Sequence, residues 1–193
     1  MGDPTGSDTQ PWAEQLEVHL VPLRRRHLRS VLRIEAQVYP RPWSLPLFMS
    51  ELNLRTSRHY VAARIDGIVV GYAGLMYSGD EAHVTTLAVD PTWQRCQVGT
   101  RLLLNLARSS IEQGVQHMTL EVRVSNIAAQ TMYHRFGFET AGVRKNYYAE
   151  INEDALVMWA YHVDAPAYAE RLSAISAGII GTTIDETIDS VHQ

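Results

Sequence analysis

Residues 87–103 follow the order that favours an anion site: a strand, a polar loop and the start of a helix. The strand-like run ends at Val89, the loop contains Arg95, and a leucine-rich helical pattern begins near Val98. The first four N–H groups of a helix lack internal partners and its dipole is positive there, so this end of a helix attracts phosphates. The spacing alone also fits a capped helix start that binds nothing.

Glu121 is the candidate general base. Thr119, Glu121 and Arg123 share one face of a predicted strand over 117–124, and the opposite face is apolar. Glu121 either accepts a proton in a reaction or forms a solvated pair with Arg123.

Asn126 and Tyr133 lie on the short helix predicted to follow, over 126–136. Asn126 is either a simple N-cap or a ligand contact. Tyr133 stands beside Met132 and Phe136, and this pattern alone favours an aromatic residue of the core.

Other chemistries lack the residues they need. The only cysteine, Cys96, allows neither a disulfide framework nor a cysteine zinc site, and the histidines have no metal-ligand spacing. The loop lacks the Gly-Lys-Ser/Thr of a P-loop, and no nucleophile elbow occurs. We therefore expect no metal and no hydrolase.

A mixed α/β sheet is needed to hold the candidate residues. The pattern predicts about seven strands and about four helices in the order strand, two helices, three strands, helix, strand, helix, two strands. The predicted strands cover residues 16–21, 59–65, 68–77, 82–89, 117–124, 138–144 and 155–161, and the helices cover 24–38, 44–54, 98–113 and 126–136.

Composition describes an ordinary globular protein. The 193 residues carry a formal net charge of -4, whereas a dedicated nucleic-acid binder is usually basic. No apolar run approaches the ~18 residues of a membrane span, and we expect that the first residues are not a signal peptide. We expect a cytoplasmic protein with no nucleic-acid partner and no membrane contact.

Three regions are predicted: a disordered lead-in over 1–15, one domain over 16–163, and an acidic tail over 164–193. The tail suits a helix over 166–176. Thr183 and Glu186 resemble a capping box for another helix, on which Ile180, Ile184, Ile188 and Val191 form a narrow stripe. A loosely docked tail and a partner-binding helix both remain open, and removal of the tail is expected to leave cofactor binding intact.

At this point the motifs resemble a known family. LAVDP at 87–91, QRCQVG at 94–99 and the leucine-rich helix look like the acetyl-CoA motif of the GCN5-related N-acetyltransferase (GNAT) superfamily. LEVRVSNIAA at 120–129, MYHRFGF at 132–138, GVRKNYY at 142–148 and PWS at 42–44 resemble its RimI type, which acetylates the N-terminal alanine of a small-subunit ribosomal protein. The resemblance covers about residues 17–162 and implies the GNAT fold.

The resemblance also implies residue roles. Glu121 would be the base that accepts a proton from the amine, and Tyr133 the acid that protonates the departing thiolate. The acetyl-CoA contacts would come from Leu87, Ala88, Val89, Arg95, Cys96, Gln97, Val98, Gly99, Thr100 and Asn126. Trp43, Tyr147 and Tyr148 would border the peptide groove.

Gln97 departs from the family pattern, because a glycine is usual at this place in the loop. A side chain there stands where backbone should nearly touch a phosphate. Either the Gln97 side chain turns outward, with its backbone in the ordinary right-handed region, or it crowds the site and the loop sits back with weaker phosphate contacts. We expect the first.

The expected chemistry fits an α-amine. Its pKa of roughly 7.7–8.0 leaves about a tenth of it neutral at pH 7, whereas a lysine amine at about 10.4 is almost fully charged. Glu121, at an ordinary pKa of about 4.3, must have a raised pKa or act through a water. A tyrosine pKa of about 10 suits Tyr133 without tuning.

The predicted function is acetyl transfer from acetyl-CoA to the N-terminal amine of a protein, with a ribosomal protein as partner. Transfer to a lysine or to a small amine is the first alternative. A non-catalytic acyl-CoA-binding module, suggested only by Gln97, is the second.

Overall fold

The computed structural model describes residues 15–187, which form one mixed sheet with helices on both faces. The strands are β1 (Glu17–Pro22), β2 (Arg58–Ile65), β3 (Ile68–Ser78), β4 (Glu81–Val89), β5 (His117–Arg123), β6 (Glu139–Tyr148), β7 (Glu153–Tyr161) and β8 (Thr182–Asp185). The helices are α1 (Leu28–Val38), α2 (Leu45–Asn53), α3 (Val98–Glu112), α4 (Ile127–Arg135) and α5 (Pro166–Ala177). The predicted α/β class is confirmed, with eight strands where about seven were expected.

The strand order is β6-β7-β5-β4-β3-β2-β1-β8. Two neighbouring pairs are parallel, β4 with β5 and β1 with β8, and the other pairs are antiparallel. Parallel neighbours need a crossover, and α3 supplies the one between β4 and β5. The candidate base and the candidate phosphate loop therefore lie on adjacent strands.

Alternate residues of the central strands face two separate cores. In β2, Val61 and Ala63 pack toward α3 and α5, whereas Tyr60 and Ala62 pack toward α1 and α2. At Gly71 of β3, an added Cβ would stand 3.0 Å from the Ala88 carbonyl and 3.1 Å from the side chain of Val98. The missing side chain lets the start of α3 pack tightly against the sheet.

The C-terminal region is part of the fold. The predicted helix over 166–176 is present as α5, and it buries Tyr168, Leu172 and Ile175 in the core beside α3. The expectation of a loosely docked tail is wrong for the described residues up to 187.

A second tail helix beginning at Thr183 is also wrong, because this segment is β8. Glu17 pairs with Thr182, and the Glu186 N–H donates to the Leu20 carbonyl at 2.8 Å. The hydroxyl that would cap a helix accepts instead from Arg101 Nε at 2.8 Å. Ile188 and Val191 of the stripe lie outside the described residues.

The predicted lead-in over 1–15 also lies outside the described residues, apart from Gln15. Within 15–187, no helix is long and apolar enough to cross a membrane.

Candidate active site

The parallel strands β4 and β5 pair only at their beginnings and then separate. Their register runs from Glu81 opposite His117 to Val84 opposite Leu120, and no later pair of the two strands forms within the described residues. The next residue, Thr85, is an extra residue in the ladder with β3, where Leu75 faces Val84 and Gly74 faces Thr86. A bulge bends its strand, which accounts for the divergence at this point. The gap opens into a cavity of about 420 Å³.

The edge of β4 in this gap presents backbone groups that no other strand pairs within residues 15–187. The Asp90 N–H donates to the Val70 carbonyl at 2.8 Å, and hydrogen-bonded pairs alternate along an antiparallel ladder. The N–H and C=O groups of Leu87 and Val89 therefore point away from β3, into the gap. The Tyr39 hydroxyl confirms this direction, because it donates to the Leu87 carbonyl at 2.8 Å.

The loop from Gln94 to Gln97 (the 94–97 loop) contains two strained residues. Arg95 has φ of 64° and Gln97 has φ of 58°, in the left-handed region that non-glycine residues rarely adopt. Each such residue costs roughly 1–2 kcal/mol. The expectation of right-handed backbone at Gln97 is wrong, because the turn into α3 has the shape that a glycine would adopt without strain.

No side chain of residues 15–187 caps the first turn of α3. Gln97 is its N-cap, yet the side-chain amide bonds elsewhere, to Gly178 and Ile180. The first backbone bond of the helix runs from the Arg101 N–H to the Gln97 carbonyl at 3.1 Å. An uncapped helix start beside the gap can receive an anion, so the loop and α3 fit the pyrophosphate of an acyl-CoA.

Glu121 is buried and ion-paired, so the alternative of a solvated pair with Arg123 is wrong. Its carboxylate lies 3.1 Å from His83 Nε2 and 2.9 Å from Arg144 Nη1, and its side chain is 8% exposed. The hydrogen bond with His83, helped by the Arg144 charge, lowers the pKa of Glu121. Glu121 is therefore an ionised carboxylate at neutral pH, where sequence reasoning left a raised pKa open.

Tyr133 belongs both to the core and to the cavity. Its ring packs against Phe138 with centroids 5.9 Å apart, and the residue lines the gap. Burial raises the pKa of Tyr133, with smaller contributions from Tyr39 and Tyr148. The phenol therefore stays protonated at neutral pH, and its pKa is tuned upward rather than left at its ordinary value.

Asn126 is the N-cap of α4. Its side-chain oxygen accepts from the Ala129 N–H at 3.2 Å, and the residue also lines the cavity. The interpretations of Asn126 as an N-cap and as a ligand contact are compatible, because the cap uses the amide oxygen and leaves the NH₂ group for a ligand.

Two segments flank the cavity. The α1–α2 connection contributes Tyr39, and the end of β6 contributes Tyr148. Arg41 of the first segment lies 3.2 Å from Glu150, just after β6. Burial raises the pKa of Tyr148 to about 12, so this phenol also stays protonated.

The buried carboxyl of Glu35 holds the α1–α2 connection in place by a hydrogen bond to its backbone. This carboxyl is 1% exposed and accepts from the Trp43 N–H at 2.7 Å and from the Tyr72 hydroxyl. Burial raises the pKa of Glu35 despite these two bonds. The Trp43 ring packs on Phe48 of α2 with centroids 5.3 Å apart, and Trp43 does not line the cavity.

The structure gathers most of the predicted site residues around one cavity. These are Leu87, Ala88, Val89, Arg95, Gln97, Val98, Gly99, Thr100, Glu121, Asn126, Tyr133 and Tyr148. Three predicted residues do not line it: Cys96, whose thiol lies 3.5 Å from the Gln94 carbonyl, Trp43, and Tyr147, which is half exposed under Arg144.

Sequence reasoning missed Tyr39, His83 and Arg144. Each reaches the site through a long-range contact, to Leu87 or to Glu121. The parallel register of β4 and β5 is the signal that would have placed His83 near Glu121, because His83 pairs with Thr119. Among residues 15–187, no cluster of three metal-ligating side chains occurs.

Comparisons with known proteins agree on one family. The profile of the Acetyltransferase (GNAT) family matches residues 28–138. The chain is 35% identical over 161 residues to a Mycobacterium tuberculosis protein named N-alpha-acetyltransferase RimI, covering 79% of this chain and 94% of the relative. It is 34% identical over 138 residues to the Escherichia coli [ribosomal protein bS18]-alanine N-acetyltransferase, covering 70% and 92%.

A solved structure gives the same result. The crystal structure of the ribosomal-protein-S18-alanine N-acetyltransferase from Escherichia coli matches with a TM-score of 0.69 at 32% identity. The match covers 75% of this chain and 94% of that one.

Proposed function

Because the chain belongs to the acetyltransferase (GNAT) family, we propose that it transfers an acetyl group from acetyl-CoA to the N-terminal α-amine of a protein. The observation that carries this proposal is the gap between β4 and β5, where free strand-edge groups, a buried carboxylate and a protonated phenol line one cavity. The curated relatives named above are N-acetyltransferases, which supports an enzyme rather than a binding module.

The N-terminal alanine of a small-subunit ribosomal protein is the proposed substrate. The name of the Escherichia coli relative specifies the alanine of bS18. An α-amine also suits a site without a strong base, because about a tenth of it is neutral at pH 7 whereas a lysine amine is almost fully charged.

The residues around the gap suit acetyl-CoA as the co-substrate, whose thioester supplies the acetyl group. The free N–H groups of Leu87 and Val89 would pair with the amides of the pantetheine arm, as a strand edge pairs with an added strand. The uncapped start of α3 and Arg95 would hold the pyrophosphate.

Glu121 would receive the amine proton through a water. Its pKa is lowered by His83 and Arg144, so direct transfer from an amine of pKa near 8 faces a mismatch above roughly 5 kcal/mol. A fixed, ionised carboxylate can still orient a water beside the amine and stabilise the positive charge that develops as the amine attacks.

Tyr133 would donate a hydrogen bond to the departing sulfur. The phenol makes no hydrogen bond to any residue within 15–187, and it is protonated at neutral pH. It is therefore free to donate to the thiolate as the C–S bond breaks, and solvent then supplies the proton of the free thiol. The raised pKa suits donation of a hydrogen bond better than complete loss of the proton.

Isotope-labelled acetyl-CoA and three synthetic peptides test the proposal. One peptide begins Ala-Arg, the second is the same peptide with a blocked N-terminus, and the third is blocked and contains a lysine. Mass spectrometry should find the label only on the first peptide. Labelling of the lysine peptide would favour a lysine acetyltransferase, and binding of acetyl-CoA without turnover on any amine would favour a non-catalytic module.

A further inference from the structure

The side chain of Gln97 joins the 94–97 loop to the C-terminal segment 178–183. Its Nε2 donates to the Gly178 carbonyl at 3.1 Å, and its Oε1 accepts from the Ile180 N–H at 2.8 Å. Both halves of the amide are thus used by backbone that lies more than 80 residues further along the chain. The side chain is held away from the first turn of α3, whose N–H groups it would otherwise cap.

Arg101 forms a second link between the same parts. Its guanidinium donates to the Cys96 carbonyl at 3.1 Å, to the Thr183 hydroxyl at 2.8 Å and to the Ile180 carbonyl. The residue is 1% exposed, and no carboxylate pairs with it in the described part of the chain. Among residues 15–187, its donors are satisfied only by the 94–97 loop and the C-terminal segment.

The C-terminal segment has anchors of its own. α5 precedes it and packs in the core, β8 extends β1, and Asn105 Nδ2 donates to Asp185 at 2.8 Å. The segment is therefore held in place by contacts that do not involve the loop, and it forms a fixed frame beside it.

The 94–97 loop needs such a frame. Arg95 and Gln97 both have positive φ, and strained backbone of this kind persists only where surrounding structure holds it. Gln97 is itself strained and is also the residue whose side chain reaches the frame. The two properties in one residue connect the shape of the loop to the docking of the segment.

We propose that the C-terminal segment 178–183 is a positioning element of the acetyl-CoA site, and that it acts through Gln97. The inference rests on the proposed cofactor site and adds that Gln97 is a positioning residue for the pyrophosphate loop. It runs against the expectation from sequence that removal of the tail leaves cofactor binding intact. Coupling between two sites is reciprocal, so acetyl-CoA must also tighten the docking of the segment.

Titration calorimetry and steady-state kinetics on the full chain test the proposal, with Gln97→Asn, Gln97→Gly and Ser176→Ala as variants. Asn and Gly tolerate positive φ, so both keep the loop shape accessible while neither reaches the segment. Ser176→Ala is the matched control, because it removes a bond from Arg108 to α5 at 3.2 Å that does not involve the loop.

Both Gln97 variants should bind acetyl-CoA about fivefold to tenfold more weakly, with KM for acetyl-CoA raised by the same factor and kcat changed less than about twofold. Ser176→Ala should bind like the wild type. In hydrogen exchange, acetyl-CoA should slow the amides of 178–183 in the wild type more than in Gln97→Asn.

Wild-type affinity in either Gln97 variant would overturn the inference, as would an equal loss in Ser176→Ala, which would indicate general loosening. If the wild-type chain itself fails to bind acetyl-CoA, the proposed cofactor site is wrong and the inference fails with it.

Discussion

Arg144 of β6 reaches across β7 to Glu121 of β5, with 2.9 Å between Nη1 and Oε1. The contact ties the carboxylate to the strand whose last residue, Tyr148, lines the cavity. Together with His83 it keeps Glu121 ionised in a half-enclosed site. A carboxylate in this state favours charge stabilisation and water-mediated proton transfer over direct proton abstraction.

Replacing Glu121 with Gln should lower kcat by about 10²-fold while acetyl-CoA affinity changes little, because a carboxamide cannot take a proton from the water. The change is measured by peptide acetylation and calorimetry. Glu139→Gln, at an exposed glutamate on β6, is the control. Near-normal turnover of Glu121→Gln at pH 7 would make this residue structural.

The pH profile gives an independent test of the same residue. The hydrogen bond with His83, helped by the Arg144 charge, lowers the pKa of Glu121, so its titration contributes no change in rate near neutrality. We expect kcat/KM to rise with pH along one limb near pH 8, which belongs to the peptide amine. A second limb between pH 5 and 7 that disappears in Glu121→Gln would contradict this assignment.

Tyr133→Phe should lower kcat by about 10²-fold and leave the melting temperature nearly unchanged, because the hydroxyl has no partner within the described chain to lose. Tyr168→Phe is a closely matched control: this tyrosine is equally buried, its hydroxyl is also unpartnered, and it lies away from the cavity. Equal activities of the two variants would remove Tyr133 from the proposed mechanism.

Local pattern predicted most of this architecture, because periodicity and turn residues determine elements from nearby sequence. The helix predicted over 98–113 and the strand-loop-helix order over 87–103 are both present, as β4, the 94–97 loop and α3. The capping-box pattern at Thr183 predicted a helix that does not form, because pairing with β1 and the bond from Arg101 involve residues far away in sequence.

The predicted backbone conformation of Gln97 was wrong for a related reason. Side-chain type suggested an ordinary right-handed residue, whereas the turn into α3 requires positive φ. The compensating bonds to Gly178 and Ile180 come from a region without a family motif. Long-range partners such as Tyr39 and Arg144 were likewise invisible to spacing along the chain.

Leu172→Ala should destabilise the protein by about 2–5 kcal/mol, because Leu172 is buried between α5 and the core. The free energy of unfolding is measured in urea, and Glu170→Ala on the exposed side of α5 should change it by less than about 0.5 kcal/mol.

Removal of residues 164–193, which include α5, should lower the melting temperature sharply. A truncated chain as stable as the full one would show that α5 does not contribute to the core.

Glu35→Gln tests how the α1–α2 connection responds to pH. Burial raises the pKa of Glu35, so folding favours its protonated form. That contribution to stability is complete below the unfolded pKa near 4.3, and it is lost as pH rises through the folded value. A glutamine can still accept from the Trp43 N–H without ionising. The difference in unfolding free energy between Glu35→Gln and wild type, measured by urea denaturation at each pH, should therefore move in favour of the variant as pH rises from 4 to 8.

Glu35→Ala should lose stability at every pH, by about 1–3 kcal/mol for each of the Trp43 and Tyr72 donors left unpaired. Parallel pH curves for wild type and Glu35→Gln would show that the Glu35 carboxyl keeps an ordinary pKa in the folded protein.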